Sequence, residues 1–164
     1  MLVPIKWLNE YVNIDMDINE FAEIMTMSGS NVESINDIGQ DIDKVVVGKI
    51  IEILEHPGAD KLVITNVDVG SEVVQIVTGA TNIKEGDYVP VALNGAILPN
   101  GIKIKKGRLR GVESNGMLCS ADELSLDENS LGGDVDMVDG IYILEEKHPL
   151  GTDIKSVLGL DDKI

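Results

Sequence analysis

Between Val45 and Gly111 the chain is a succession of short runs rich in Val and Ile: VVVGKIIEIL, LVITNVDV, VVQIVT, YVPVAL and IKIKK, ending near RLRG. Gly, Pro and Asn punctuate them. β-Branched residues suit a pleated surface and the punctuation supplies turns, so this stretch is read as a small all-β unit. About five strands over about 80 residues predict a small closed barrel rather than an open sandwich. Alternation assigns the faces: Val63, Thr65, Val67 and Val69 share one side, and Ile64, Asn66 and Asp68 the other. The same rule turns Ile102 and Ile104 inward and Lys103 and Lys105 outward. Around Leu109 it sends Arg108 and Arg110 to one side.

The two ends of the chain have helical rather than strand periodicity. Pro4 suits the first turn of a helix presenting Trp7, Leu8, Tyr11 and Val12. Asp17, with Glu20 three residues on, resembles a capping box ahead of Ile18, Phe21, Ala22 and Met25, and Gly29 can close that helix. Trp7, Phe21 and the methionines are assigned to a core rather than to a ligand cage. Near the other end HPLGTDIKSVLGL predicts a short helical piece starting at Thr152 or Asp153. Each helical piece has too little apolar surface to stand alone. Pairing 1–40 with 145–164 would bury Trp7, Phe21, Val157 and Leu158 together, as one small discontinuous helical domain around an inserted barrel at 41–144. The fold class expected is α+β.

Charge narrows the partners. The net charge of −16 argues against a general basic field. Yet five of the 13 basic residues, Lys103, Lys105, Lys106, Arg108 and Arg110, fall in the acid-free stretch KIKKGRLR, and only the remaining eight face all 29 acidic residues. This stripe is either a phosphate-facing patch or a solvated strand face. No apolar run approaches the ~20 residues needed to cross a bilayer, and MLVPIKWLNEYV does not read as a signal peptide. The one cysteine, Cys119, cannot form an internal disulfide and reads as a small buried residue, so the cytoplasm is the expected compartment.

Catalytic and metal-binding patterns are missing from the sequence. The histidines are His56 and His148, and no GxSxG, HExxH, P-loop or strand-to-helix GxGxxG occurs. The acidic stretch near 127–140 is read as a surface loop. Asp134, Asp136 and Glu145 have the spacing of calcium-loop positions one, three and twelve. Val138 and Asp139 then occupy the fifth and sixth positions, where an oxygen ligand and glycine are needed, so no metal is expected.

Between His56 and Leu126, HPGADKLVITNVDVG, QIVTGATNI and GDYVPVALNGAILPNGIKIKKGRLRGVESNGMLCSADEL resemble the EMAP-II-like tRNA-binding domain, an OB fold. Gly107, Gly111 and Gly116 would allow the turns and close approaches of such a barrel. The flanks MLVPIKWLNEYV, MTMSGSNVESI, PLGTDI and LGLDD resemble the amino terminus of the bacterial phenylalanine tRNA ligase β-subunit family. That resemblance implies an OB-fold β-barrel inserted into a small discontinuous helical domain, and a chain that is a fragment of a longer subunit. It implies tRNA as partner, an α subunit in an α2β2 assembly, and neither DNA nor membrane. ATP and Mg2+ would serve the full enzyme, with no cofactor, metal or catalytic residue in this segment. The phosphate-facing residues would be Lys103, Lys105, Lys106, Arg108 and Arg110, with Ser114 and Asn115 as weaker contacts. A free-standing OB-fold tRNA chaperone, or a module recruiting a protein partner, is the alternative.

Overall fold

Strand β1 (Asp43–Glu55) organises the sheet because it is long enough to serve two partners. Its first half pairs antiparallel with β4 (Tyr88–Ile97), and its second with β2 (Val63–Asp68). Register shifts between Asp43 and Val45 and between Ile50 and Glu52 mark bulges, which bend a strand and raise its twist. The computed structural model describes residues 1–126 and 140–164, in two units: Met1–Gln40 with Gly159–Ile164, and Asp41–Leu158.

In the second unit β3 (Val73–Thr78) and β7 (Gly116–Leu118) extend the sheet to the order β3-β2-β1-β4-β7, all antiparallel. Its two outer strands approach each other. The Asn115 N–H donates to the Gln75 carbonyl at 2.9 Å, and the Val77 N–H donates to Ser114 Oγ at 3.1 Å. The result is a nearly closed antiparallel barrel with few helices. Its interior holds Ile50, Val67, Ile76, Val89 and Val91, none of which reaches solvent. Thr65 lies on the same inward face and satisfies its hydroxyl by donating to the Ile76 carbonyl at 2.8 Å. The face assignment from alternation therefore holds along β2.

The IKIKK run departs from expectation. Ile104 is buried, its N–H donating to the Ala96 carbonyl, but Ile102 is 54% exposed. The cause is the preceding turn: the Gly101 N–H donates to the Leu98 carbonyl, and the Ile102 N–H to Asn100 Oδ1 at 3.0 Å. Ile102 thus still belongs to the turn, and pairing near Lys103 is a single bridge to Ile97.

Asp134, Asp136, Val138 and Asp139, considered for calcium, lie outside the described residues. The Asn82 amide grips Ile141 at both backbone groups: Nδ2 donates to its carbonyl at 2.8 Å and Oδ1 accepts its N–H at 3.1 Å. Segment 145–158, expected with the terminal helices, lies in the barrel unit. The reason is backbone pairing with β1. The Gly151 N–H donates to the Val47 carbonyl at 2.8 Å and the Val47 N–H to the Thr152 carbonyl at 2.9 Å, and Ile154 at the head of α3 (Ile154–Leu158) is fully buried.

The first unit joins α1 (Ile5–Asn9) and α2 (Ile18–Met27) to the last residues of the chain. Asn36 and Ile164 exchange both backbone hydrogen bonds, at 2.8 and 2.9 Å, and the Ile38 N–H donates to the Asp162 carbonyl. Asp17 caps α2 by accepting from the Asn19 N–H, which holds its carboxyl below the usual range, and Gly29 follows the helix at φ 104°. Trp7 is not a core residue: it is 52% exposed, edge-on to Tyr11 at 5.5 Å, and no residue of α1 or α2 is fully buried. A five-residue helix offers little more than one turn, and its apolar side chains line an open groove with Phe21 and Met25.

Cys119 is fully buried, and burial, with the nearby Glu123 charge, pushes its thiol from 9.0 up to about 12. The unfolded chain therefore surrenders this proton first. Stability is expected to be unaffected below about pH 9 and to fall as pH rises from there toward 12. Tyr142, raised from 10.0 mainly by burial, adds to the fall. Thiol-reagent labelling at pH 8 should follow global unfolding, and Cys119→Ala should flatten the alkaline decline in urea midpoint. Rapid labelling of the native protein would contradict this.

Candidate nucleic-acid interface

After the turn at Asn100, the chain runs back beside the end of β4 with its basic residues outward. Lys103, Lys105 and Lys106 are all exposed, and the buried Ile104 between them anchors the segment. Lys106 is fixed at its backbone, where its N–H donates to Asn94 Oδ1 at 3.1 Å. These three side chains remain free to meet a partner while their backbone is held.

The chain then makes a hairpin from β5 (Gly107–Leu109) and β6 (Val112–Ser114). The two-residue turn is Arg110–Gly111, with φ of 53° and 88°. Positive φ at both positions is what a type I′ turn requires, and it suits Asn-Gly far better than a bulky first residue. Arg108 and Arg110 are both exposed. Arg108 faces Glu113 across the hairpin at 3.4 Å, with side chains 70% and 62% exposed. Such a pair is worth about 0–1 kcal/mol and yields readily to a phosphate.

Two side chains brace this hairpin from the barrel. Gln75 on β3 donates from Nε2 to the Glu113 carbonyl at 2.8 Å. On the other side His56, only 7% exposed, accepts the Gly58 N–H on Nδ1 at 3.0 Å, which assigns the ring proton to Nε2. Nε2 then donates to the Leu109 carbonyl at 2.9 Å, immediately before the strained Arg110.

The sequence-based candidates thus separate. Lys103, Lys105 and Lys106 lie along one exposed segment, and Arg108 and Arg110 on the braced hairpin. Ser114 is no surface contact: it is 7% exposed, and its hydroxyl donates to the Gly116 carbonyl and accepts from the Val77 N–H. Asn115 is half-buried and spends its N–H on Gln75. Both belong to the seam that nearly closes the barrel.

Sequence reasoning missed two participants. Lys44 sits at the first β1 bulge with φ 55°, and its ammonium passes 3.4 Å from where a Cβ on Gly95 would stand. Since the Gly95 N–H donates to the Ile104 carbonyl, this adds a sequence-distant cation beside the Lys103–Lys106 segment. Nothing in IDKV announces a bulge. His56 was legible only as one of two histidines, although HPG, with a turn residue two places on, is a pattern a ring nitrogen can cap.

Exposed cations without a nucleophile and base among them are suited to holding phosphates. No aromatic residue occurs between Tyr88 and Tyr142, so the stretch offers charge rather than base stacking. Among the described residues no group of three His, Cys, Asp or Glu side chains could hold a metal ion. No described helix is long and apolar enough to cross a membrane.

A family model described as "Putative tRNA binding domain" matches residues 45–151. The chain is 53% identical to the phenylalanine–tRNA ligase beta subunit of Clostridium acetobutylicum and 52% identical to that of Clostridium tetani, covering 100% of this chain and 20% of each relative. The chain thus spans about a fifth of the length of the curated relatives it matches. Among solved structures, the MetRS related protein from Pyrococcus horikoshii is 21% identical with a TM-score of 0.45, covering 84% of this chain and 94% of that one. The C-terminal domain of Plasmodium vivax p43 is 28% identical with a TM-score of 0.39, covering 51% and 48%.

Proposed function

The chain belongs to the tRNA-binding domain family, and from that premise we propose that it contacts tRNA as the amino-terminal, non-catalytic part of a phenylalanine tRNA ligase β subunit. The observation that carries this reading is the continuity of the likeness. The family match ends at residues 45 and 151, yet similarity to the ligase β subunits runs over the whole chain. A free-standing tRNA chaperone has no need of the flanks. On this reading the nearly closed barrel is an OB fold inserted into a small discontinuous helical domain.

Its role is to hold tRNA phosphates on the outside of the barrel, in a chain whose net charge is −16. A local stripe on a repelling body binds weakly and in one orientation, which suits an auxiliary contact made while the rest of a larger enzyme does the selecting. The α subunit of an α2β2 assembly would supply the aminoacylation site, in the cytoplasm, with ATP and Mg2+ held outside this segment. No step of that chemistry is assigned to residues here.

The test compares the whole α2β2 enzyme with one whose β subunit lacks residues 41–158. Loss of the barrel is expected to raise KM for tRNA while leaving amino-acid activation by ATP unchanged. The isolated chain should bind tRNA at low salt, with log affinity falling linearly in log salt. An unchanged KM, together with no tRNA binding by the isolated chain, would make the barrel an architectural part of the enzyme.

A further inference from the structure

We propose that His56 is a positioning residue for the tRNA contact, its neutral imidazole locking the Arg110–Gly111 turn so that Arg108 and Arg110 are presented together to the phosphate backbone. This rests on the tRNA-binding reading above and adds a residue that the basic stretch itself does not contain.

The hairpin needs an outside anchor. Its strands are three residues each, all of β5 is exposed, and a two-stranded ribbon of that size is marginal in water. Its turn also carries a positive-φ arginine where asparagine or glycine is usual. Left alone, the turn would relax. The two guanidinium groups would then have to be ordered by the RNA, at the expense of affinity.

His56 supplies the anchor at the strained point. It sits just past β1, 53 positions from Leu109, and links the 56–58 turn to the carbonyl that precedes Arg110. The two nitrogens have different tasks: Nδ1 accepts from Gly58, and Nε2 donates to Leu109. The loop also lies close to the turn, since a Cβ on Gly58 would stand 3.5 Å from the Arg110 carbonyl oxygen. Gln75 holds the opposite edge of the hairpin through Glu113, so losing His56 frees the arginine end while the barrel seam stays in place.

Two substitutions separate the tasks. His56→Asn keeps an acceptor at the δ position for the Gly58 N–H but is too short to reach Leu109, whereas His56→Gln restores a donor at the ε position. In the full chain, His56→Asn is expected to weaken tRNA binding by about 3- to 30-fold, the scale of one lost hydrogen bond plus the ordering of two long side chains. His56→Gln should recover most of that loss. Amide hydrogen exchange should quicken at Arg110 to Val112 in His56→Asn and remain slow in the barrel strands.

A double-mutant cycle decides whether the histidine acts through the arginines. In an Arg108→Gln, Arg110→Gln background, His56→Asn is expected to have no further effect on tRNA affinity. An equal loss in both backgrounds, or no loss in either, overturns the proposal. A wild-type chain that fails to bind tRNA at low salt overturns the underlying reading as well. A wild type that binds but is insensitive to the arginine changes overturns this inference alone.

Discussion

Replacing Lys103, Lys105, Lys106, Arg108 and Arg110 together by glutamine is expected to flatten the salt dependence of tRNA binding by about 3.5 to 4.5 log units per log unit of salt, if all five neutralise a phosphate. Between 50 and 200 mM salt the wild type would then lose roughly 10²-fold more affinity than the variant. All five side chains are exposed and none is needed by the core, so the variant should fold. Arg108 is the smallest contributor expected, because a phosphate must first displace Glu113. Phosphate contacts carry little sequence information, so binding should weaken without changing the preference among RNAs. Equal slopes in a folded variant, measured beside a wild type that does bind, would reduce the stretch to a solvated face.

Gly116→Ala is expected to destabilise the barrel by about 2–3 kcal/mol out of a total of about 5–15. Gly116 pairs with Leu93 where β7 meets β4, and a Cβ there would stand 2.7 Å from the Ala92 carbonyl oxygen and 3.4 Å from Ile76 Cδ1. A backbone oxygen inside a ladder cannot step aside without breaking the pairing. Gly48 is tight in a different way: its Cβ would meet the side-chain carbons Val67 Cγ1 and Val91 Cγ2, each at 2.6 Å, rather than a backbone atom. Urea denaturation should show a lower midpoint at unchanged slope. Stability within about 0.5 kcal/mol of wild type would contradict the packing argument.

The barrel was legible because alternation is a local signal: β2 reads inward at Thr65 and Val67 in both sequence and structure. The same signal misled at Ile102, where the turn built on Asn100 and Gly101 delays pairing by a residue or two. Trp7 was misplaced because residue type reports a preference for burial, not whether a covering element exists. The charge stripe was legible as a stripe. Its division into a lysine segment and an arginine hairpin was not, since it depends on a turn with two positive φ values. Ser114 shows the opposite failure, a polar residue in a loop-like stretch whose hydroxyl closes a seam. Lys44 and His56 depend on a bulge and on a contact across 53 positions, neither of which has a local trace.

The mutual backbone bonds between Asn36 and Ile164 carry a consequence for biosynthesis. A ribosome releases Asn36 long before the residue that pairs with it, and the whole barrel is made in between. At about 5–20 residues per second the delay is on the order of ten seconds, far longer than a barrel of this size needs to collapse. During that interval the segment holding α1 and α2, whose Trp7, Tyr11, Ile24 and Met27 are exposed even in the folded unit, waits on a nascent chain without its backbone partner. Residues 1–40 are thus made before the barrel and complete this pairing only after it, and in the interval they are where a chaperone, or a neighbouring nascent chain on the same message, would meet them.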